Sequence, residues 1–392
     1  MKNALIWPFL ACLILPLIAA WFAWPATHLP PGFGIFPPEQ VPGTPGFNLW
    51  VFCLLAAFCA VIVALYLFPA RFGFQPVTPP PEPQKYPLPA RFWAGLLITL
   101  FFWWLMWKRI TPFGTLVYFA FTPMWWGFIL LLDGLNWHRG GWSLIANRPR
   151  AFAISALVSV GGWTFYEYFN YFVLSDWYYP NGHMAALPHA EIVLLFLLAY
   201  TTVWPAIFEW LTLLLSFPRL RVRYSNGPQL KLSGSRMLLI GFLLIVATVF
   251  LPYPLFWGIW IGPLAVLAGQ LLRKRIWTPF TALQQGDWGP FMLSALASLC
   301  NGIFWELWNH GSESPNFLSG QVPPFPTNPN FWIYDIPYVN VLHPYSEMPL
   351  LGYFGYLPFG VLVWVFFIWA GNVLGFSTNL GPAELGKPSS DR

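Results

Sequence analysis

From residue 48 to residue 68 the chain carries no charged side chain, and comparable apolar runs recur along its length. About 20 apolar residues in a row are what an α-helix needs to cross the hydrocarbon core of a bilayer. A membrane β-strand would instead alternate apolar and polar positions over about ten residues. The runs therefore predict an all-α polytopic membrane protein. Charge supports the same reading. Only 8% of the 392 residues are charged, against about 25% in a soluble domain. So few charges cannot cover a water-facing surface, which excludes a cytosolic enzyme and a disordered chain. The net charge of +5 is spread over short connections rather than gathered on one face, so nucleic acid is not an expected partner.

Ten candidate spans lie near 4–24, 48–68, 92–107, 113–133, 151–173, 189–215, 236–251, 254–272, 289–309 and 347–375. The first follows Lys2 and continues through Trp21 and Trp24. It lacks a small-residue cleavage site and is read as a retained helix rather than a signal peptide. With the N-terminus placed in the cytoplasm, all of the 19 basic residues except Lys108 and Arg109 fall inside. This is the positive-inside pattern. It places both termini in the cytoplasm, in a membrane of the bacterial inner-membrane type. The outer connections 25–47, 174–187 and 310–346 contain neither Lys nor Arg. The last is long and Pro-rich, and is expected to pack over the membrane face, as functional loops of this length do. Cys12, Cys53, Cys59 and Cys300 all sit in apolar runs with no CxxC pair, so they predict buried hydrophobes rather than a disulfide framework.

Internal similarity organises the rest. Phe165-Tyr-Glu167-Tyr-Phe-Asn170-Tyr171 parallels Phe304-Trp-Glu306-Leu-Trp-Asn309-His310. A W-x-Y follows each, Trp177/Tyr179 and Trp332/Tyr334. Then comes P-x-x-E, Pro188 to Glu191 and Pro344 to Glu347. Nine residues past that Glu stands a Tyr, Tyr200 or Tyr356. Upstream, Pro123-Met-Trp-Trp-Gly127 parallels Pro254-Leu-Phe-Trp-Gly258. The expected organisation is two N-terminal spans (1–70), a Pro-rich cytoplasmic linker (71–91), a first repeat (92–215), a basic cytoplasmic linker (216–236), a second repeat (237–376) and a cytoplasmic tail (377–392). Each repeat has an even number of spans, four, so the two enter the membrane from the same side. They are parallel repeats, unlike the inverted repeats of many alternating-access transporters.

Acids inside a membrane span are costly, and each one is a candidate functional group. The duplication sets Glu167, Glu191, Glu306 and Glu347 at similar depth near the outer face. Glu306, Asn309 and His310 share a helix face, as do Glu167 and Asn170. Asp133 and Glu209 have no counterpart in the other repeat and are read as helix-pairing residues. A carboxyl among aromatic rings can stay protonated. It can then protonate an alkene or epoxide while π-faces stabilise the cation. Glu306 is the expected proton donor, with Glu167 as its repeat mate and Glu191 and Glu347 as supporting carboxyls. Trp305, Trp308, Tyr166, Asn170, Asn309 and Trp332 are expected to hold the substrate, a lipid or isoprenoid dissolved in the bilayer. No cofactor is expected in this reading.

Two alternatives stay open. Glu306 and Glu167 with His310, His343, His183 and His189 form a ligand set for a divalent metal ion, although the spacings are E-x-x-N and E-x-x-x-H rather than the E-x-x-H of helical dimetal sites. The other alternative is a non-enzymatic transporter or binding subunit for a hydrophobic or cationic ligand, with the carboxyls as counter-charges. Phosphate-binding Gly-rich loops, a nucleophile elbow and an Asp-rich diphosphate motif are all missing.

The twice-repeated order W-x-Y, then P-x-x-E opening an apolar helix, resembles the small membrane-integral lycopene cyclases of bacteria and fungi, whose tandem repeats carry P-x-E-E. The resemblance implies that Glu191 and Glu347 are acid or cation-stabilising carboxyls. In this chain Ala190 and Ser346 stand where the cyclases carry the first glutamate. Asn301-Gly-Ile-Phe-Trp305-Glu306 looks like the Trp-Glu helix of integral-membrane terpene cyclases. That likeness implies an epoxide-protonating role for Glu306, and for Glu167 through the repeat.

Overall fold

A computed structural model of the protein describes residues 2–108, 111–312 and 327–381. The described residues are overwhelmingly helical. In chain order the helices are α1 (Lys2–Ala23), α2 (Leu49–Leu67), α3 (Ala90–Lys108), α4 (Phe121–Gly140), α5 (Leu144–Asn147), α6 (Pro149–Asn170), α7 (His189–Tyr200), α8 (Val203–Leu215), α9 (Pro218–Val222), α10 (Gly234–Phe250), α11 (Gly258–Arg273), α12 (Pro279–Gln284), α13 (Gly289–His310) and α14 (Tyr356–Leu374). Two short strands, β1 (Trp177–Tyr178) and β2 (Ile333–Tyr334), pair antiparallel.

Among the described residues six stretches are long and apolar enough to cross a membrane: α1, α2, α3, His189–Leu215, α13 and Leu350–Leu374. A seventh is added if Phe113–Phe119 and α4, bent by 63°, count as one. The chain is thus an all-helical membrane protein. The remaining expected spans form helices that fall short of that standard. Helices α10 and α11 have 17 and 16 residues, only about 25 Å of rise. Helix α6 carries Ser155, Ser159, Glu167 and Asn170 among its buried residues.

Local chemistry moves several boundaries. The expected span 113–133 is split, because Thr111–Phe119 winds as a 3-10 helix kinked at Gly114, so α4 begins at Phe121. The run 189–215 breaks between Tyr200 and Val203. Pro205 cannot donate to the Thr201 carbonyl and its ring crowds it. The Thr201 and Thr202 hydroxyls turn back to Leu198 O (2.5 Å) and Ala199 O (2.7 Å).

Two hairpins are packed through glycine. On α3 and α4, a Cβ at Gly95 would lie 2.6 Å from Gly127 O, so only glycine admits this approach. On α10 and α11, a Cβ at Gly241 would lie 2.7 Å from Gly262 O. Small residues that let helix backbones touch are the membrane solution to close packing. Helices α6, α8, α13 and α14 contact one another in the centre, and α8 and α14 are buried over most of their length. Helix α1 lies against α10, α11 and α14, anchored by the indole N–H of Trp369 donating to Leu5 O (3.0 Å). Helix α2 is peripheral, with Cys59 its only buried residue.

The connections 25–47, 174–187 and 327–346 are woven into one cap. Tyr171 donates to Ile35 O (2.6 Å), Tyr179 N to Pro38 O (3.0 Å) and Asn48 N to Tyr338 O (3.0 Å). Part of the long third connection, 313–326, lies outside the described residues, and so does most of the expected tail. At the opposite face the Pro-rich linker is extended along the end of α4, where Tyr86 N donates to His138 O (2.7 Å).

Candidate functional site

Glu167 on α6 and Glu306 on α13 sit near the C-terminal ends of their helices, 2% and 0% exposed. Each is met by the residues that follow it in the sequence similarity. Glu167 Oε1 accepts from Tyr179 Oη (2.5 Å), Trp163 Nε1 (2.9 Å) and Tyr200 Oη (3.0 Å), and its Oε2 accepts from Trp177 Nε1 (3.2 Å). Glu306 Oε1 accepts from Tyr356 Oη (2.6 Å) and Tyr334 Oη (2.8 Å). Its Oε2 is buried with no hydrogen-bond partner. Ser346 also faces Glu306, but its hydroxyl is engaged with Tyr353 Oη at 2.9 Å. Tyr179 and Tyr334 lie in the cap. Burial first, then the glutamate each one faces, pushes both phenols well above their ordinary range, so they remain donors.

Asparagines one turn along hold the cap in register. Asn170 Nδ2 donates to Trp177 O (2.7 Å), and its Oδ1 accepts from Trp177 N. Asn309 Nδ2 donates to Trp332 O (2.8 Å), and its Oδ1 accepts from Trp332 N (3.0 Å). The two sites meet at the strand pair, where Trp177 lies opposite Tyr334. Buried side-chain amides rarely go unpaired, and here both ends of each amide are spent on positioning a Trp backbone. The asparagines expected to touch substrate are occupied by the cap.

The aromatic residues fill the space between the carboxyls. Trp305 stands 5.9 Å from Trp163, 5.8 Å from Tyr356 and 5.6 Å from Trp125, ring centre to ring centre. Trp308 packs edge-on to Trp125 at 4.8 Å. Tyr166 lies 4.7 Å from Trp260. Trp332 donates its indole N–H to Tyr334 Oη (2.8 Å) and so reaches Glu306 only through that phenol. Offset and edge-on pairs of this kind pack without gaps. Two hollows in the structure lie away from both carboxyls, one beside Phe169 and Ile259, the other beside Pro8 and Gln270. Where the sequence predicted an aromatic cavity, the described rings lie in contact with one another around the carboxyls.

The other expected residues divide. Glu347 joins the second site: its Oε2 accepts from Asn309 Nδ2 (3.2 Å), and its Oε1 lies 2.8 Å from His310 Nδ1. Glu191 stands exposed in the first turn of α7, and no donor to its side chain is found among the described residues. His183 and His189 stack at 5.6 Å, with His183 3.7 Å from Glu39. His343 is exposed. Among the described residues no three His, Cys, Asp or Glu side chains converge to hold a metal ion.

Sequence reasoning did not assign Tyr179, Tyr200, Tyr334 or Tyr356 to the site, although their repeated spacing was the available signal. Trp163 was missed too; it lies one turn before Glu167, at the i, i+4 spacing that lets helix side chains meet. Elsewhere in the bundle, Asp133 and Glu209 tie helices together. Asp133 accepts from Arg91, from Ser143 Oγ (3.0 Å) and from Ile145 N (2.8 Å). Glu209 Oε2 accepts from Asn136 Nδ2 (2.7 Å).

No protein-family model, curated protein or solved structure matches this chain.

Proposed function

We propose that the chain is an integral membrane enzyme acting on a bilayer-dissolved isoprenoid or lipid, with the Glu306 carboxyl as its proton donor. One observation carries this reading: the two related glutamates are not equivalent. Glu167 has donors on both oxygens, three on Oε1 and one on Oε2. Glu306 keeps Oε2 undonated while Tyr334 and Tyr356 fix Oε1. In the proposed step the Oε2–H proton passes to an alkene or epoxide carbon or oxygen. The two phenols stabilise the carboxylate that is left. Trp305 offers a π-face to the cationic product. Loss of a proton from a neighbouring carbon ends the reaction, so the product is an isomer and no co-reactant is consumed. His310 and Glu347, side by side and nearer the outer surface, offer a route for returning the proton to Glu306.

The finer features of the fold belong to the same proposal. They are ten spans, two parallel four-span repeats after two N-terminal spans, cytoplasmic termini and a bacterial inner membrane. The resemblance to lycopene and terpene cyclases supports the reaction class. The dense ring packing around the carboxyls narrows the approach to Glu306. It also favours a second reading, in which both glutamates are polar clasps between the halves of the protein and no reaction occurs.

The test compares isoprenoid extracts of cells expressing the wild type and Glu306→Gln. A new species of unchanged mass, present with the wild type and lost with the variant while the variant remains folded, is the expected result. No such species with the wild type, or its retention in the variant, rejects the acid role.

A further inference from the structure

The strand pair that joins the two sites ends in two acids. Carrying the register Trp177↔Tyr334 one residue further sets Asp176 opposite Asp335. Asp335 N donates to Asp176 O at 2.8 Å, which closes that end of the ribbon. Directly opposed residues project from the same face with their Cβ atoms about 5 Å apart, and like charges so placed destabilise a sheet. Asp176 is 4% exposed and its Oδ1 has no hydrogen-bond partner. Asp335 accepts from Gln40 Nε2 at 3.3 Å, and Tyr178 and Tyr253 lie within its field. None of these is a cation. The connections 25–47, 174–187 and 310–346 contain no Lys or Arg, and His183 is turned to Glu39 and Pro37 O. Burial, with Asp335 adding to it, raises the Asp176 carboxyl well above its ordinary range, which is the mark of a charge left uncompensated.

We infer that Asp176 and Asp335 form a binding site for a hard divalent cation of the calcium type on the outer face. Both side-chain ligands are carboxylate oxygens, and among the described residues no third His, Cys, Asp or Glu converges with them. Such a set suits calcium, which completes its shell with carbonyl and water oxygens, and does not suit zinc or iron. The bound ion clamps the connection that carries Trp177 and Tyr179 to the one that carries Trp332 and Tyr334. It thereby steadies the donors to both glutamates. The site stands independently of any reaction at Glu306.

The experiment uses the full chain in detergent. Melting is followed in chelator and in added Ca2+ or Mg2+, for the wild type, Asp176→Asn and Asp335→Asn, and Ca2+ binding to the wild type is titrated calorimetrically. The expected result is a wild type that loses several degrees in chelator and regains them with Ca2+, and two variants that do not respond. A wild type indifferent to chelator that binds no Ca2+ overturns the inference, and an Asp176→Asn that then melts at or above it assigns the pair a shared proton. A calcium response retained in both variants also overturns it. If either variant does not fold, the titration of the wild type decides.

Discussion

Tyr356 Oη donates to Glu306 Oε1 at 2.6 Å, and Tyr200 Oη donates to Glu167 Oε1 at 3.0 Å. The two bonds join corresponding positions of two similar segments, yet their glutamates differ. Glu167 is saturated and Glu306 is half-engaged. Two buried carboxyls of one ancestry of pattern therefore offer different chemistry, and the difference lies in the donors around them.

The first consequence is an order of stabilities. Replacing Glu167 by Gln turns an NH2 group toward indole and phenol donors that need acceptors. Each stranded buried donor costs about 1–3 kcal/mol. Glu306→Gln can keep its carbonyl oxygen on Tyr334 and Tyr356 and set its amide nitrogen where Oε2 stood. Thermal melts in detergent are expected to rank Glu167→Gln well below Glu306→Gln, with the latter near the wild type.

The phenols give a second, kinetic order. Tyr356→Phe removes one of the two donors to Glu306 and is expected to lower turnover by about 100-fold, the low end of what a positioned proton-transfer group contributes. Tyr200→Phe leaves Glu167 three donors and is expected to leave turnover within a few-fold of the wild type. Product formation from the isoprenoid fraction measures both. Equal losses would place the two sites on the same footing.

A third expectation concerns pH. Asp287, between α12 and α13, has its carboxyl raised from 3.8 to about 6, chiefly by burial, against the opposing pull of Gly289 N and Arg221. The folded chain thus holds a proton that the unfolded chain has already released. Stability from this group falls as pH rises from about 4 to 6 and is level above that. Asp287→Asn keeps an acceptor for Gly289 N, which lies 2.9 Å from Oδ1. The variant is expected to lose the slope and to gain on the order of 1 kcal/mol at pH 7. Melts at stepped pH check this.

Topology supplies the fourth. The proposed orientation puts the connection after β1 outside and the one after α9 inside. A reporter active only outside the cytoplasm is expected to work when fused after residue 183 and to fail after residue 226. The reverse result would invert the assignment of the basic connections.

Much of this protein was legible in its sequence, for a physical reason. A bilayer offers no partners to backbone N–H and C=O groups, so long apolar runs must be helical. The helices around Glu167 and Glu306 follow from this, as does the parallel between their segments. Boundaries were less legible where one residue redirects the chain. Pro205 breaks an apolar run that hydropathy reads as continuous, and Gly114 kinks another.

The site itself divides along the same line. Sequence alone marked Glu167 and Glu306, because the likeness of their two segments and the rarity of membrane acids are both visible without coordinates. Only the tertiary structure decided that Tyr200 and Tyr356 reach those acids, that Glu191 does not, and that Asp176 faces Asp335. Hydrogen bonds and carboxyl pairs depend on ångström-scale distances between segments far apart in the chain. Helical periodicity orders residues within one helix and carries no information about which face meets which across the bundle.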